Sequence, residues 1–335
     1  MNNSSLMPYS TILKQWVCQV SRVDPIREGT AAPKYIVQTP AEKYLLKQRR
    51  REFCPPDVIR FDHSVILFLR KNGFPVALPE KTSGGERFFR SGEDVYELFE
   101  FVEGLEDFTP GDKHQIANAA STLGRIHKTL QNFSPDGKKP WRREFHPSLL
   151  KSELESHVKR LPEIFADRDI IKRVYAELEA LIKDFNTAKL THSIVHGDYT
   201  NTNVKFKNGY VGGIFDFDWT SYQNTLYDIS RGIVFFCFTR NSPVDGSDIR
   251  SLVQPCKVDL SGTKVFMDAY RKEFTFTRTD AENLPSAIKE VILGARIRAM
   301  RKMPDSDKPA MLDNALIQML DSINADRNNL INAVS

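Results

Sequence analysis

The stretch "SIVHGDYTNTNVKFKNGYVGGIFDFDW", residues 193–219, carries Asp198, Asn203, Asp216 and Asp218 within a short span. "THSIV" is β-branched and apolar, so it reads as a strand that delivers His196-Gly197-Asp198 at its end. "NVKFKNGYVGGIFDF" reads as a hairpin turning at Asn208-Gly209, which returns Asp216 beside the loop holding Asp198 and Asn203. Three oxygen side chains then meet at a loop mouth. Phosphoryl transfer asks for such a set: one carboxylate takes the proton of an attacking hydroxyl, while an amide and a second carboxylate hold magnesium on nucleotide phosphates. An isolated Asp in a turn is usually turn chemistry alone; the ordered constellation is what carries the reading. The two histidines of "HSIVH" are four apart on a strand and do not aim at one ion.

"HGDYTNTN" keeps the His, the Asp and the Asp-to-Asn spacing of the protein-kinase catalytic loop, and "DFD" stands where kinases have D-F-G. With "GGIFDFDW" and "LYDIS" following, the chain resembles the aminoglycoside phosphotransferase family, which includes choline kinases and type II homoserine kinases. The match is specific over about 193–232 and looser over 34–130. The resemblance implies an α+β, protein-kinase-like two-lobed fold with a small antiparallel β-rich N-lobe and a larger, mainly helical C-lobe. It implies Mg2+ and ATP, or GTP, as cofactors. It makes Asp198 the catalytic base and Asn203 and Asp216 the metal ligands. His196 would pack behind the loop, and Asp228 would tie its helix to it.

The same resemblance puts the phosphate lysine at Lys47 in "YLLKQ", with Lys34 and Lys43 as competitors, and its helix partner at Asp62, with Asp57 as the alternative. The phosphate-covering loop falls at "REGTAAPK" around Gly29, and neither G-x-G-x-x-G nor a P-loop pattern occurs in the chain. "LFEFVEG" resembles an inter-lobe hinge, where adenine would bond to backbone near Glu100 to Val102.

These residues need a scaffold. Alternation in "KYIVQT" and "KYLLKQ" predicts one hairpin, and "RFFRSGEDVYELFEFV" predicts a second turning at Ser91-Gly92. Helices are expected over about 56–71, from a Thr109-Pro110 start to Leu130, and near 147–162, 167–185, 224–239, 262–274, 284–303 and 309–330. A short N-terminal helix is capped near Ser10. The division is an N-lobe over 1–104, ending in the hinge, and a C-lobe over 105–335, with a cleft suited to a small molecule.

Bulk properties narrow the class. The 335 residues are 41% hydrophobic and 27% charged with a net charge of +4, an ordinary globular composition. Basic residues are mixed with acidic ones, and runs such as "KKPWRREF" read as solvated faces, so no nucleic-acid partner is expected. No apolar run reaches 18 residues, so no membrane span is expected. Four dispersed cysteines point to a reducing, cytoplasmic setting, and no oligomeric state is assigned.

Two departures from protein kinases favour a small-molecule acceptor. Gly197 stands where kinases carry the arginine that reads an activation-loop phosphate. Asp216 and Asp228 are too close for a long activation segment. Candidate acceptor residues are Trp219, Tyr222 and Phe236 as stacking surfaces, Asp218 and Asp245 for an amine, and Arg231, Arg296 and Arg298 for a carboxylate, although "ARIRAMRK" also reads as a solvated helix face. The acceptor class stays open among amino alcohols, amino acids such as homoserine, sugars and aminoglycosides. The alternative is a nucleotide-binding scaffold without activity; such a protein has usually lost the base, the Asn, the metal Asp or the lysine, and all four occur here.

Overall fold

The computed structural model describes residues 7–16, 19–26, 32–140, 146–161, 169–242 and 248–334. The chain divides into two compact units, one of residues 1–105, 133–139 and 212–218, the other of 106–132, 140–211 and 219–335.

In the first unit, β1 (Arg22–Ile26), β2 (Lys34–Gln38), β3 (Lys43–Gln48), β4 (Phe89–Ser91) and β5 (Asp94–Glu100) form an antiparallel sheet in the order β1-β2-β3-β5-β4. The period-2 alternation of a strand gives this sheet two different faces. Val37, Leu46 and Leu98 share an apolar cluster with Ile12, Leu13 and Trp16, contributed by α1 (Met7–Leu13) and the turn after it. Ser10 lies inside α1 rather than capping it.

The other face carries Lys34, Lys47 and Glu97. Register pairs Lys34 with Lys47, Lys47 with Glu97 and Leu45 with Phe99. Helix α2 (Pro56–Lys71) has proline in its first turn and buries Val58, Ile59, Val65, Ile66 and Leu69 at helical spacing. The end of the motif returns to this unit, where Ile214 N–H donates to the Pro75 carbonyl at 2.8 Å.

The second unit is mainly helical. Helix α3 (Lys113–Leu130) starts later than Thr109-Pro110 because Asp112 caps it, its carboxylate accepting from the backbone N–H of His114 and Gln115 at 2.9 and 3.1 Å. Helices α4 (Pro147–Val158) and α5 (Asp169–Asp184) precede the strands. Strand β6 (His192–Val195) is followed by β7 (Val204–Lys207) and β8 (Tyr210–Ile214), which pair around Asn208-Gly209. Strand β9 (Ser221–Asn224) then pairs with β6.

Helix α6 (Leu226–Phe236) follows directly, and a small ribbon pairs β10 (Phe238–Arg240) with β11 (Cys256–Val258). Helix α7 (Leu260–Arg271) packs on α3, and α8 (Arg278–Ala299) on α6. A capping box between Thr277 and Asp280 starts α8 well before the expected 284, leaving Pro285 inside the helix. The C-terminal residues run through a π-helical stretch at Met311–Ile317 into Gln318–Ala325 and Arg327–Val334. Among the described residues no helix is long and apolar enough to cross a membrane.

Candidate active site

In the first unit a cavity is lined by Leu45, Lys47, Ile66, Ala77 and Phe99, by Glu100 to Val102, and by Ile214 to Asp218. Lys47 Nζ lies 2.9 Å from Asp216 Oδ1 and 2.7 Å from Asp218 Oδ1. Lys34 Nζ, across the register from Lys47, reaches the other Asp216 oxygen at 3.3 Å. Burial alone would push the Asp216 carboxyl up, but the two ammonium groups outweigh it and hold it well below the usual carboxylate range. Burial would likewise pull Lys47 down, and Asp216 and Asp218 more than reverse that. Asp216 adopts φ 66°, a left-handed conformation that Asp tolerates better than most residues.

Asp62 does not pair with Lys47. It accepts from Arg49 at 2.5 Å and from Lys139 at 2.6 Å. Arg49 follows β3 two residues after Lys47, so alternation puts it on the same face, nearer the helix. Its guanidinium also bonds Glu97 at 2.7 Å, and Glu97 holds His63 Nε2 at 2.6 Å. Asp57 is exposed and pairs with Arg60, so the alternative partner is excluded as well. Lys43 is exposed and bound to Glu103 at 2.6 Å. Glu100 spends its side chain on Arg70, leaving its part in the cavity to the backbone. Gly29 lies outside the described residues.

The second unit holds the other half of the predicted set. Asn203 Nδ2 donates to the Asp198 carbonyl at 2.9 Å and to Asp198 Oδ2 at 2.8 Å. Arg231 holds the second oxygen, with Nη1 2.7 Å from Oδ1. The loop is fastened from beneath by Asp228, which is fully buried and accepts from the backbone N–H of His196 at 2.7 Å and of Gly197 at 2.8 Å. His127 Nε2 lies 3.2 Å from the same carboxylate. Burial would raise Asp228, but the His127 bond and the neighbouring imidazoles hold it below the usual range. His196 is buried, and its Nδ1 accepts from Asp198 N–H at 3.1 Å.

Gly197 has φ 82°, and a Cβ there would lie 2.1 Å from the Trp219 carbonyl oxygen. No side chain fits at the position where a kinase carries arginine. The geometry of this loop excludes that control device.

The remaining acceptor candidates separate. Arg231 adjoins Asp198. Asp218 is buried and held by Lys47 and Arg49, so it is no acidic group open to an amine. Tyr222 is 60% exposed and rests on His192, Trp219 is half-buried, and Phe236 is core against Phe108. Arg296 is buried beside Cys256 Sγ and Met319 Sδ, so "ARIRAMRK" is not simply a solvated face; Arg298 is half-buried on the same helix. Asp245 lies outside the described residues.

Arg49, Glu97, His63 and Lys139 escaped the sequence reading. The run "QRRREF" disguised Arg49, although alternation from Lys47 points to it, and "KKPWRREF" disguised Lys139, whose side chain is 6% exposed.

Asn203 in the second unit and Asp216 in the first each offer an oxygen of the kind a hard divalent cation takes. Asn203 commits its NH2 to Asp198, and among the described residues its Oδ1 accepts no hydrogen bond. Asp216 offers a carboxylate held in its charged form. Among the described residues no group of three or more His, Cys, Asp or Glu is placed to hold a metal ion. Magnesium does not require one, since one or two protein oxygens complete its shell with phosphates and water.

Comparison with known proteins bears on the whole arrangement. Homoserine kinase of Phenylobacterium zucineum (strain HLK1) is 24% identical over 233 residues, 68% of either chain. Hydroxylysine kinase of Bos taurus is 25% identical over 237 residues, 64% of this chain and 62% of its own. Among solved structures, amicoumacin kinase hAmiN, in complex with AMP-PNP, Ca2+ and Ami, superposes with a TM-score of 0.66 at 16% identity, covering 98% of this chain and 94% of its own. A microcompartment-associated aminopropanol kinase gives 0.63 at 15%, covering 98% of each. These likenesses fix the fold as protein-kinase-like. Residues 22–251 match the model of the phosphotransferase enzyme family, and the chain belongs to that family.

Proposed function

We propose that the protein transfers the γ-phosphate of ATP to the hydroxyl of a small metabolite, and that the preferred acceptor is a hydroxylated amino acid. The observation that carries the transfer is the Asp198–Asn203 pair, in which one amide fixes the base through its nitrogen and keeps its oxygen for a cation. Asp198 accepts the hydroxyl proton. The hydroxyl oxygen forms the new bond to the γ-phosphorus as the bond from that phosphorus to the β–γ bridging oxygen breaks, and ADP leaves.

Lys47 holds the nucleotide phosphates, and adenine lies against Leu45, Ile66, Phe99 and the Glu100–Val102 backbone. Asn203 and Asp216 would hold magnesium, which would neutralise phosphate charge. Most of the catalysis is then positioning and charge compensation.

Arg231 supports the acceptor class. It is a buried guanidinium beside the base, bonded through Nη1 to Asp198 and through Nη2, at 3.5 Å, to the Tyr227 hydroxyl, and it brings positive charge that attracts a carboxylate. The relatives named above include kinases of homoserine and hydroxylysine. The test compares homoserine with 3-aminopropan-1-ol, which lacks only the carboxylate, as acceptors for wild type and Arg231→Met. The expected result is a preference for homoserine that the variant loses. Equal use of both by wild type would remove the carboxylate from the acceptor class.

A further inference from the structure

Residues 133–139 leave the helical unit and lie along α2 as a strap. The Phe133 ring stacks on Phe68, with centroids 4.0 Å apart and planes at 13°. Asp136 N–H donates to Ser64 Oγ at 3.1 Å. Gly137 has φ 83°, and a Cβ there would lie 2.3 Å from the Asp57 carbonyl oxygen, so the strap can follow the helix this closely only with glycine. The strap ends in Lys139, whose ammonium donates to Asp62 Oδ1 at 2.6 Å and to the Asp218 carbonyl at 2.5 Å. Phe53 closes over it at 5.2 Å.

Burying this lysine and this aspartate is costly. Desolvation pulls Lys139 down and pushes Asp62 up despite their contact. Such a pair is poor evidence for stability and better evidence for placement. Its second acceptor is informative, because Asp218 O belongs to the turn that carries Asp216. Asp62 is at the same time bound to Arg49, which also approaches Asp218 Oδ1 at 3.4 Å. In protein kinases one strand lysine links the phosphates to the helix carboxylate. Here Lys47 faces Asp216 and Asp218, and the helix carboxylate belongs to Arg49 and Lys139.

We propose that Lys139 is a positioning residue that couples α2 to the Asp216–Asp218 turn, setting that turn for metal-nucleotide binding. The inference rests on the kinase reading above and assigns a role to a residue that reading does not use. Without Lys139, the Asp218 carbonyl loses its buried donor, and the link from α2 through Asp62 to the turn is cut. Apolar recognition of the base, made by Leu45, Ile66 and Phe99, is untouched.

The test is calorimetric titration of the full chain with Mg-ATP and, separately, with adenosine, for wild type, Lys139→Met and Lys139→Arg. Lys139→Met is expected to weaken Mg-ATP roughly tenfold or more while adenosine stays within about twofold, and Lys139→Arg, which can bridge the same two acceptors, to restore most of the loss. If Lys139→Met is poorly folded, Asp62→Asn/Lys139→Met removes the leftover charge and is expected to show the same selective loss. Wild-type Mg-ATP affinity in a folded variant lacking Lys139 overturns the proposal, as does an equal loss for both ligands, which would mark Lys139 as packing alone. A wild type that binds adenosine and Mg-ATP keeps the kinase reading intact through either failure. A wild type that binds neither removes both.

Discussion

On the proposed reading Asp198 and Asp216 carry the chemistry and Asp228 supports the loop, and each is held by partners that restrict what it can do. Asp198 is gripped on one oxygen by Asn203 and on the other by Arg231. A general base contributes roughly a hundredfold to ten-thousandfold, so Asp198→Asn should lose turnover on that scale while binding nucleotide as before. Asp216 is the carboxylate that two lysines keep charged. Asp216→Asn should abolish most of the difference between nucleotide affinity in magnesium and in EDTA, read by titration under both conditions. An undiminished magnesium dependence would remove Asp216 from the ligand set. Asp228 accepts two backbone N–H bonds from the loop beneath the base. Asp228→Ala strands those donors and His127, and should cost about 3 kcal/mol or more in urea unfolding.

At the scale of elements, the catalytic loop depends on a backbone shape that one residue permits. Gly197→Ala would set a methyl against the Trp219 carbonyl in a left-handed conformation, and should destabilise by about 2 kcal/mol or more, checked by thermal and urea unfolding. Unchanged stability would mean that the loop relaxes freely there. The β6 strand, the Asn208-Gly209 hairpin, the two N-terminal hairpins and α2 were all legible, because period and turn chemistry are local signals, although the second hairpin turns at Gly92-Glu93, one residue beyond Ser91-Gly92. Helix starts were less so: Asp112 outranked the proline at 110, since a side-chain cap satisfies orphan N–H groups and a proline only tolerates the first turn, and the Thr277–Asp280 box starts α8 ahead of 284. Arg49 and Lys139 stayed hidden for a different reason. Their neighbours are charged and exposed, and only the packing of α2 and residues 133–139 around them shows that these two are buried.

For the molecule as a whole, buried carboxylates set the response to acid. Asp216, Asp228 and Glu97 all hold protons less tightly than usual, because ammonium, imidazole or guanidinium partners outweigh their burial. The folded chain therefore binds fewer protons than the unfolded one as pH falls through about 4, and stability that is complete above about pH 5 declines below it. Asp62 and Glu80, pushed up by burial, oppose this, and Glu153, held down by His157 and Arg301 against its burial, adds to it. The urea midpoint at pH 3.5 should lie below that at pH 7 at matched ionic strength. A higher midpoint in acid would contradict the assigned charges.

Family membership and these local geometries converge on phosphoryl transfer to a small hydroxyl compound. The most direct measurement is magnesium-dependent ATP consumption across homoserine, hydroxylysine, choline, ethanolamine, hexosamines and aminoglycosides, with Asp198→Asn as the blank. The account predicts consumption that depends on a hydroxyl acceptor, strongest with a hydroxylated amino acid, and absent in the variant. Acceptor-dependent consumption that persists at the wild-type rate in Asp198→Asn would contradict it.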